Sequence, residues 1–164
     1  GCGTGALLET VAGAGRELSG FDLSPQMLVQ ARRRRTLREA DLREASASEP
    51  WPFDDAMFDR VFALAMLEFV ERLDVALDEV ARLLRPWGRA LVTVEDVRCM
   101  GGIERERMEL RYGEFPLWRR TRDELEVSVP PSLTVLRVER VRAYTVLERG
   151  FTSAYWVAEL ERRG

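Results

Sequence analysis

Gly1, Gly3 and Gly5 stand at alternate positions, and apolar residues at helical spacing follow directly behind them. Glycine has no Cβ, so the backbone turns tightly there and a ligand can come close to it. A helix that starts just past such a loop offers unpaired N–H groups and the positive end of its dipole. Together these suit an anionic or nucleotide-like ligand. Asp22 follows about 20 residues after the loop, where an acid accepts hydrogen bonds from ribose hydroxyls. A second acid, Asp41, is placed to accept from an adenine amino group.

Other chemistries are excluded by composition. The chain has no histidine, which rules out a Ser-His-Asp triad, a Cys-His pair and a histidine-ligated zinc site. The two cysteines, Cys2 and Cys99, give neither a disulfide framework nor a metal spacing, so no metal is expected. Cys99 reads as a small buried apolar residue. Any proton transfer falls to a carboxylate, tyrosine, cysteine or water, and no catalytic residue is assigned. With 46% hydrophobic and 32% charged residues over 164 positions, the chain reads as one ordinary globular domain. A net charge of −3 argues against nucleic acid and anionic membranes as partners. No apolar run spans a bilayer and no disulfide pattern appears, so a cytoplasmic location is expected. Oligomeric state is not readable.

The elements that must position these residues alternate. Thr4 to Glu17 holds a short helix with Leu7, Leu8 and Val11 on one side. Glu17 to Asp22 reads as a short buried strand ending on its acid. Ser24-Pro25 opens a second helix, serine as cap and proline at the first position. That helix runs into Arg32-Arg33-Arg34-Arg35, read as a solvated helix end rather than a nucleic-acid patch. Thr36 to Asp41 reads as a weak strand, again ending on an acid. Phe58 to Ala65 is a strand buried on both faces. Leu73 to Leu84 is an amphipathic helix, and Arg89 to Glu95 another buried strand. Alternation over the first 95 residues predicts a parallel α/β sheet. Beyond it, Thr121-Arg122-Asp123-Glu124 is a capping box, and Thr134 to Glu139 and Ser153 to Leu160 read as strands. Ligands of open α/β sheets bind outside the carboxyl ends of the strands, so the glycine loop, Asp22 and Asp41 are expected on one edge.

The glycine spacing, with Ala6, also satisfies the dinucleotide pattern of NAD-binding folds, and alone it does not discriminate. The ordered set does more. Gly1 to Gly5 is followed by Gly20-Phe21-Asp22-Leu23-Ser24-Pro25-Gln26-Met27-Leu28. Then come Pro52-Phe53-Asp54-Asp55-Ala56-Met57-Phe58-Asp59-Arg60-Val61, Leu67-Glu68-Phe69-Val70 and Leu84-Arg85-Pro86-Trp87-Gly88-Arg89. Over residues 1 to 96 this resembles the class I S-adenosylmethionine-dependent methyltransferases, small-molecule type 11 group.

The resemblance implies a Rossmann-like three-layer α/β sandwich with a mostly parallel sheet and an antiparallel C-terminal strand. It implies a single domain, with residues 1–96 as the cofactor-binding half and 97–164 as the substrate side. S-Adenosylmethionine is the implied cofactor. Gly1, Gly3 and Gly5 line its methionine part, Asp22 holds the ribose, and Leu23 and Met27 lie beside the adenine. Asp41 and Leu42 contact the adenine edge, while Ala65 and Met66 close over the methyl-bearing end. Methyl transfer to a small-molecule acceptor then relies on proximity and orientation. Tyr112, Phe115 and Trp118 are either packing residues or the lining of an acceptor pocket. The family has a helix and a strand before its glycine loop, so an N-terminally truncated member is expected, with the first strand of the sheet missing. Trp87 stands where the family usually has glycine. The alternatives are a non-catalytic methyltransferase-fold binding module and an NAD-dependent oxidoreductase.

Overall fold

The structure is a computed structural model that describes residues 1–111 and 114–164. The chain divides into two compact units, Gly1–Pro52 and Phe53–Gly164.

In the first unit, α1 (Ala6–Val11) leads to β1 (Ser19–Asp22), and α2 (Pro25–Arg32) leads to β2 (Asp41–Glu44). β1 and β2 pair in parallel, with Ser19 opposite Asp41 and Asp22 opposite Glu44. The small core is Leu28, Ala31 and Leu42, with Cys2, Leu8 and Ala40 packed against it. Ser24 caps α2 as expected: its Oγ accepts from the Met27 N–H at 3.3 Å, and Pro25 needs no partner. Phe21 packs against Trp51 with the rings tilted and their centroids 5.2 Å apart, tying the end of the unit to β1.

One strand was misplaced by the pattern. Residues 36 to 40 do not form a strand; Arg35–Leu37 is a 3-10 turn, and pairing begins only at Asp41. Leu37 is buried under the glycine loop instead of joining the sheet. A short apolar pattern does not separate a turn that packs from a strand that pairs.

In the second unit, β3 (Phe58–Ala63), β4 (Leu84–Glu95), β7 (Leu133–Val146) and β8 (Phe151–Arg162) form one sheet in the order β3-β4-β8-β7. β3 and β4 are parallel, and the β4–β8 and β8–β7 pairs are antiparallel. The expected antiparallel C-terminal strand is β8, which is longer than the pattern implied. β5 (Met108–Arg111) and β6 (Phe115–Trp118) form a separate hairpin. β4 pairs along Arg89–Glu95 with β8, so this sheet takes strands from both sides of residue 96.

α3 (Leu73–Leu83) buries Leu73, Ala76, Leu77, Val80, Ala81 and Leu83, the stripe its periodicity predicts. Each such leucine contributes about 1.5–3 kcal/mol by leaving water. β4 is buried on both faces from Val92 to Glu95, as a central strand should be. α4 (Arg122–Val127) carries the expected capping box, with Thr121 Oγ1 accepting from the Glu124 N–H and Glu124 Oε2 accepting from the Thr121 N–H. Trp87 sits in the left-handed region at φ 65° and is 68% exposed. This is the backbone position where a glycine costs least.

Candidate functional site

In the first unit, the glycine loop is fastened to the carboxyl end of β1. The backbone nitrogens of Gly1 and Cys2 donate to the Phe21 carbonyl at 2.7 and 2.8 Å. Gly3 N–H donates to Asp22 Oδ2 at 2.7 Å, and Ser24 N–H donates to Asp22 Oδ1 at 2.9 Å. Asp22 therefore joins the loop, the strand end and the start of α2. An ionised carboxylate has about four lone-pair positions, so each oxygen can accept once more. On the far side, Arg34 Nε donates to the Thr4 carbonyl at 2.6 Å and the same guanidinium pairs with Glu9. Arg32 Nη2 donates to the Leu42 carbonyl at 2.7 Å. Arg32, Arg33 and Arg35 are exposed, as a solvated helix end would be, while Arg32 and half-buried Arg34 also tie α2 and the turn behind it to backbone carbonyls of β2 and the glycine loop.

The three glycines do different work. Gly3 has φ +54° and open space where a Cβ would project, so its surface is free for a ligand. Gly5 has φ +76°, is buried, and a Cβ there would lie 2.5 Å from Leu37 Cδ1. Its N–H already donates to the Cys2 carbonyl at 3.0 Å. Gly5 is glycine for its backbone conformation and for the closeness of Leu37, a reason other than the ligand contact expected of it. Gly20 is also a close-approach glycine: a Cβ there would meet Cys2 Cβ at 2.9 Å.

Leu23 and Met27, flanking Asp22, are 58% and 40% exposed. They do not belong to the core, and their apolar surface lies beside the acid.

Asp41 and Leu42 are placed otherwise than expected. Asp41 opens β2 and lies opposite Ser19, at the amino end of the pair, while Asp22 lies at the carboxyl end opposite Glu44. Three residues of strand, about 10 Å, separate the two levels. Asp41 instead holds Arg43 in an ion pair of 2.6 Å. Leu42 is buried in the core against Leu28 and Ala31. The misplacement follows from the 3-10 turn at Arg35–Leu37, which delays the strand. The residues level with Asp22 are Glu44 and Ala45, and Ala45 N–H donates to the Asp22 carbonyl at 3.1 Å.

In the second unit, Ala65 follows the carboxyl end of β3. It is exposed, with φ 54°, an uncommon value for a residue with a Cβ. Its N–H donates to Thr93 Oγ1 at 2.8 Å. Met66 is buried. Next comes the 3-10 turn Leu67–Phe69, which packs against β4 and β6. Glu68 in this turn is only 3% exposed. Tyr155 Oη donates to its Oε1 at 2.8 Å, and its Oε2 is buried without a hydrogen-bond partner among the described residues. Burial pushes the Glu68 carboxyl up to about 7. The same burial, with the neighbouring Glu68, holds the Tyr155 hydroxyl well above its usual range.

Glu95, at the end of β4, is fully buried and accepts at Oε1 from Arg105, from Ser153 Oγ at 2.8 Å and from Tyr144 Oη at 3.0 Å. Arg119 is also buried, and its Nη2 lies 2.7 Å from Glu109. Nothing in the sequence pattern announced this network; buried charges recognise one another across long separations. Of the three aromatics considered for an acceptor pocket, Phe115 is 43% exposed and the Trp118 indole nitrogen is buried without a hydrogen-bond partner among the described residues. Tyr112 lies outside the described residues. Cys99 is buried as expected, and among the described residues no acidic, cysteine or histidine cluster could hold a metal ion. Among them, no helix is long and apolar enough to cross a membrane.

The sequence profile of the methyltransferase domain family matches residues 1–92. The chain belongs to the class I S-adenosylmethionine-dependent methyltransferases. The demethylmenaquinone methyltransferase of Tropheryma whipplei (strain Twist) is 37% identical over 92 residues, 56% of this chain and 38% of that protein. The ubiquinone biosynthesis O-methyltransferase of Alkalilimnicola ehrlichii is 36% identical over 93 residues, again 56% and 38%. The chain thus spans less than half the length of these relatives. In fold, an S-adenosylmethionine-dependent methyltransferase from Methanosarcina mazei matches 99% of this chain and 90% of its own at 19% identity, with a TM-score of 0.78. The α/β Rossmann-like fold of this chain extends through the antiparallel strands, beyond the stretch that the family profile matches. S-Adenosylmethionine is the cofactor of the family, and the loop fits it: Gly3 leaves open space, and Asp22 keeps acceptor capacity next to exposed Leu23 and Met27.

Proposed function

We propose that this methyltransferase chain binds S-adenosylmethionine through its first unit and transfers the methyl group to a small-molecule acceptor. The observation that carries this reading is Asp22, held by Gly3 N–H and Ser24 N–H with one further acceptor position on each oxygen. The ribose hydroxyls take those positions, and Gly1 and Gly3 line the methionine part of the cofactor. Leu23 and Met27 cover the adenine from one side. At its edge, Glu44 and Ala45 take the place first given to Asp41 and Leu42, because they lie level with Asp22. Ala65 and Met66, past the end of β3, serve the methyl-bearing end. The acceptor is an oxygen nucleophile of a small molecule, which the O-methyltransferase among the relatives supports. The chain's net charge of −3 speaks for a small molecule over a nucleic acid.

Calorimetric titration with S-adenosylhomocysteine tests the site. The chain binds it, and Asp22→Ala weakens binding tenfold or more, while Asp41→Ala changes it less than twofold. Equal losses in the two variants overturn the assignment.

A further inference from the structure

The mechanism so far leaves the acceptor's proton without a destination. Transfer from a sulfonium to a neutral hydroxyl breaks the S–CH3 bond, forms an O–CH3 bond and releases the hydroxyl proton. With no histidine in the chain, the proton falls to a carboxylate, a tyrosine, a cysteine or water. Resting on the reading above, we propose that the Glu68 carboxylate is the proton acceptor for a hydroxyl-bearing substrate, with Tyr155 as its positioning residue.

Four observations within the second unit converge on this. Glu68 stands in the turn just past the carboxyl end of β3, and ligands of open α/β sheets bind at that edge. Its Oε2 is buried with no hydrogen-bond partner among the described residues. Glu95 Oε2 and nitrogens of Trp118, Arg119 and Trp156 are also buried without one, but Glu95 and Arg119 are ion-paired. Glu68 is in no ion pair among the described residues, and its open acceptor calls for a ligand group to fill it. Tyr155 Oη fixes the other oxygen at 2.8 Å and so sets the direction in which Oε2 points. The backbone before it, at Ala65, is held in the left-handed region, and such positions gather at functional sites.

The surroundings of Glu68 set its titration. Tyr155 faces it from β8, Glu95 from β4 and Arg111 from β5, while Arg120 beside β6 donates to the carbonyls of Val70 and Glu71 just past the turn. Burial and Glu95 raise the carboxyl, and Tyr155 and Arg111 lower it; burial wins, leaving it near 7. A base with that affinity is half ionised at neutral pH and takes a hydroxyl proton more readily than an exposed carboxylate does. The balance is complete: acceptor hydroxyl, sulfonium cofactor and Glu68 carboxylate give methyl ether, thioether and Glu68 carboxylic acid. A substrate that is already an anion needs no such base and meets a buried negative charge, so the substrate class is a neutral hydroxyl, a phenol foremost.

The test uses the 164-residue chain, S-adenosylmethionine and catechol as the phenolic probe, with S-adenosylhomocysteine calorimetry alongside. In the wild type, kcat rises with pH through a limb near 7. Glu68→Gln lowers kcat about a hundredfold, removes that limb and leaves S-adenosylhomocysteine affinity within twofold. Tyr155→Phe keeps the base but loses a hydrogen bond to its charged form, so it retains activity with the limb displaced to higher pH. That variant keeps the question answerable should Glu68→Gln fold poorly. Unchanged kcat in Glu68→Gln, or an unmoved limb in Tyr155→Phe, overturns the role of Glu68. A wild-type chain that binds S-adenosylhomocysteine but does not methylate catechol overturns the substrate class. Absence of S-adenosylhomocysteine binding in the wild type overturns the cofactor reading itself, a separate result.

Discussion

The two compact units hold their key carboxylates in opposite ways. In the first, Asp22 is bonded to two backbone N–H groups and flanked by exposed apolar side chains. In the second, Glu95 and Glu68 are sealed from water, one amid arginines and hydroxyls, the other with a single tyrosine. Backbone donors come with the fold and need no particular side chain. An arginine, a serine and a tyrosine had to be supplied for Glu95 from three separate stretches. The contrast separates a carboxylate that organises a loop from carboxylates whose protonation depends on the packing around them.

The largest effect tests the buried network. Glu95→Ala leaves Arg105 and Arg119 buried beside a missing partner, and breaking a buried pair costs about 3–5 kcal/mol. Urea unfolding should show that loss; a loss under 1 kcal/mol would mean the arginines reach water and the network is not sealed.

A second effect reverses sign. Glu68 binds its proton more tightly folded than unfolded, with a carboxyl near 7 against an ordinary 4.5. The folded chain therefore carries the extra proton between these values, and its stability falls as pH rises from about 4.5 to about 7. Two and a half units correspond to about 3 kcal/mol. Glu68→Gln, neutral throughout, should be more stable than the wild type at pH 8 by up to about 3 kcal/mol, with the gain gone near pH 5. Urea midpoints at the two pH values measure it, and a pH-independent difference would remove the buried charge from the comparison.

The smallest effect sharpens the first unit. Gly5→Ala meets both a left-handed backbone and Leu37, and should cost about 2–3 kcal/mol. Gly3→Ala meets the same backbone but open space, and should cost about 1 kcal/mol while weakening S-adenosylhomocysteine binding. Equal costs would show that Leu37 moves aside.

What could be read from the sequence follows the range of the forces involved. The Ser24-Pro25 cap, the Thr121–Glu124 box and the stripe of α3 depend on neighbours within one helical turn, and all three are present. The place of Asp22 at the end of β1 was legible because a strand, a turn and a helix cap fix it locally. The place of Asp41 at the start of β2 was not legible, because a buried Leu37 competes with strand pairing, a contest decided by packing under Gly5. Glu68 stood in plain view in a motif but carried no signal of its environment. Its hydroxyl partner is Tyr155, 87 residues away, and no local pattern joins them.

The outermost strand of the four-stranded sheet carries a consequence for how the protein behaves in concentrated solution. β7 runs 14 residues along the edge, long enough to template a neighbouring chain. Arg137, Glu139, Arg140 and Arg142 fall along it, and Arg137 and Glu139 form an exposed ion pair. The register shifts against β8 between Val135 and Arg137 and again between Arg142 and Thr145, so the edge is kinked on both sides of its charged middle. A second molecule that tried to add a strand there would have to strip water from guanidinium groups and follow two bends. The edge is thereby protected against fibrous self-association by the same arginine-rich composition that supplies the buried network.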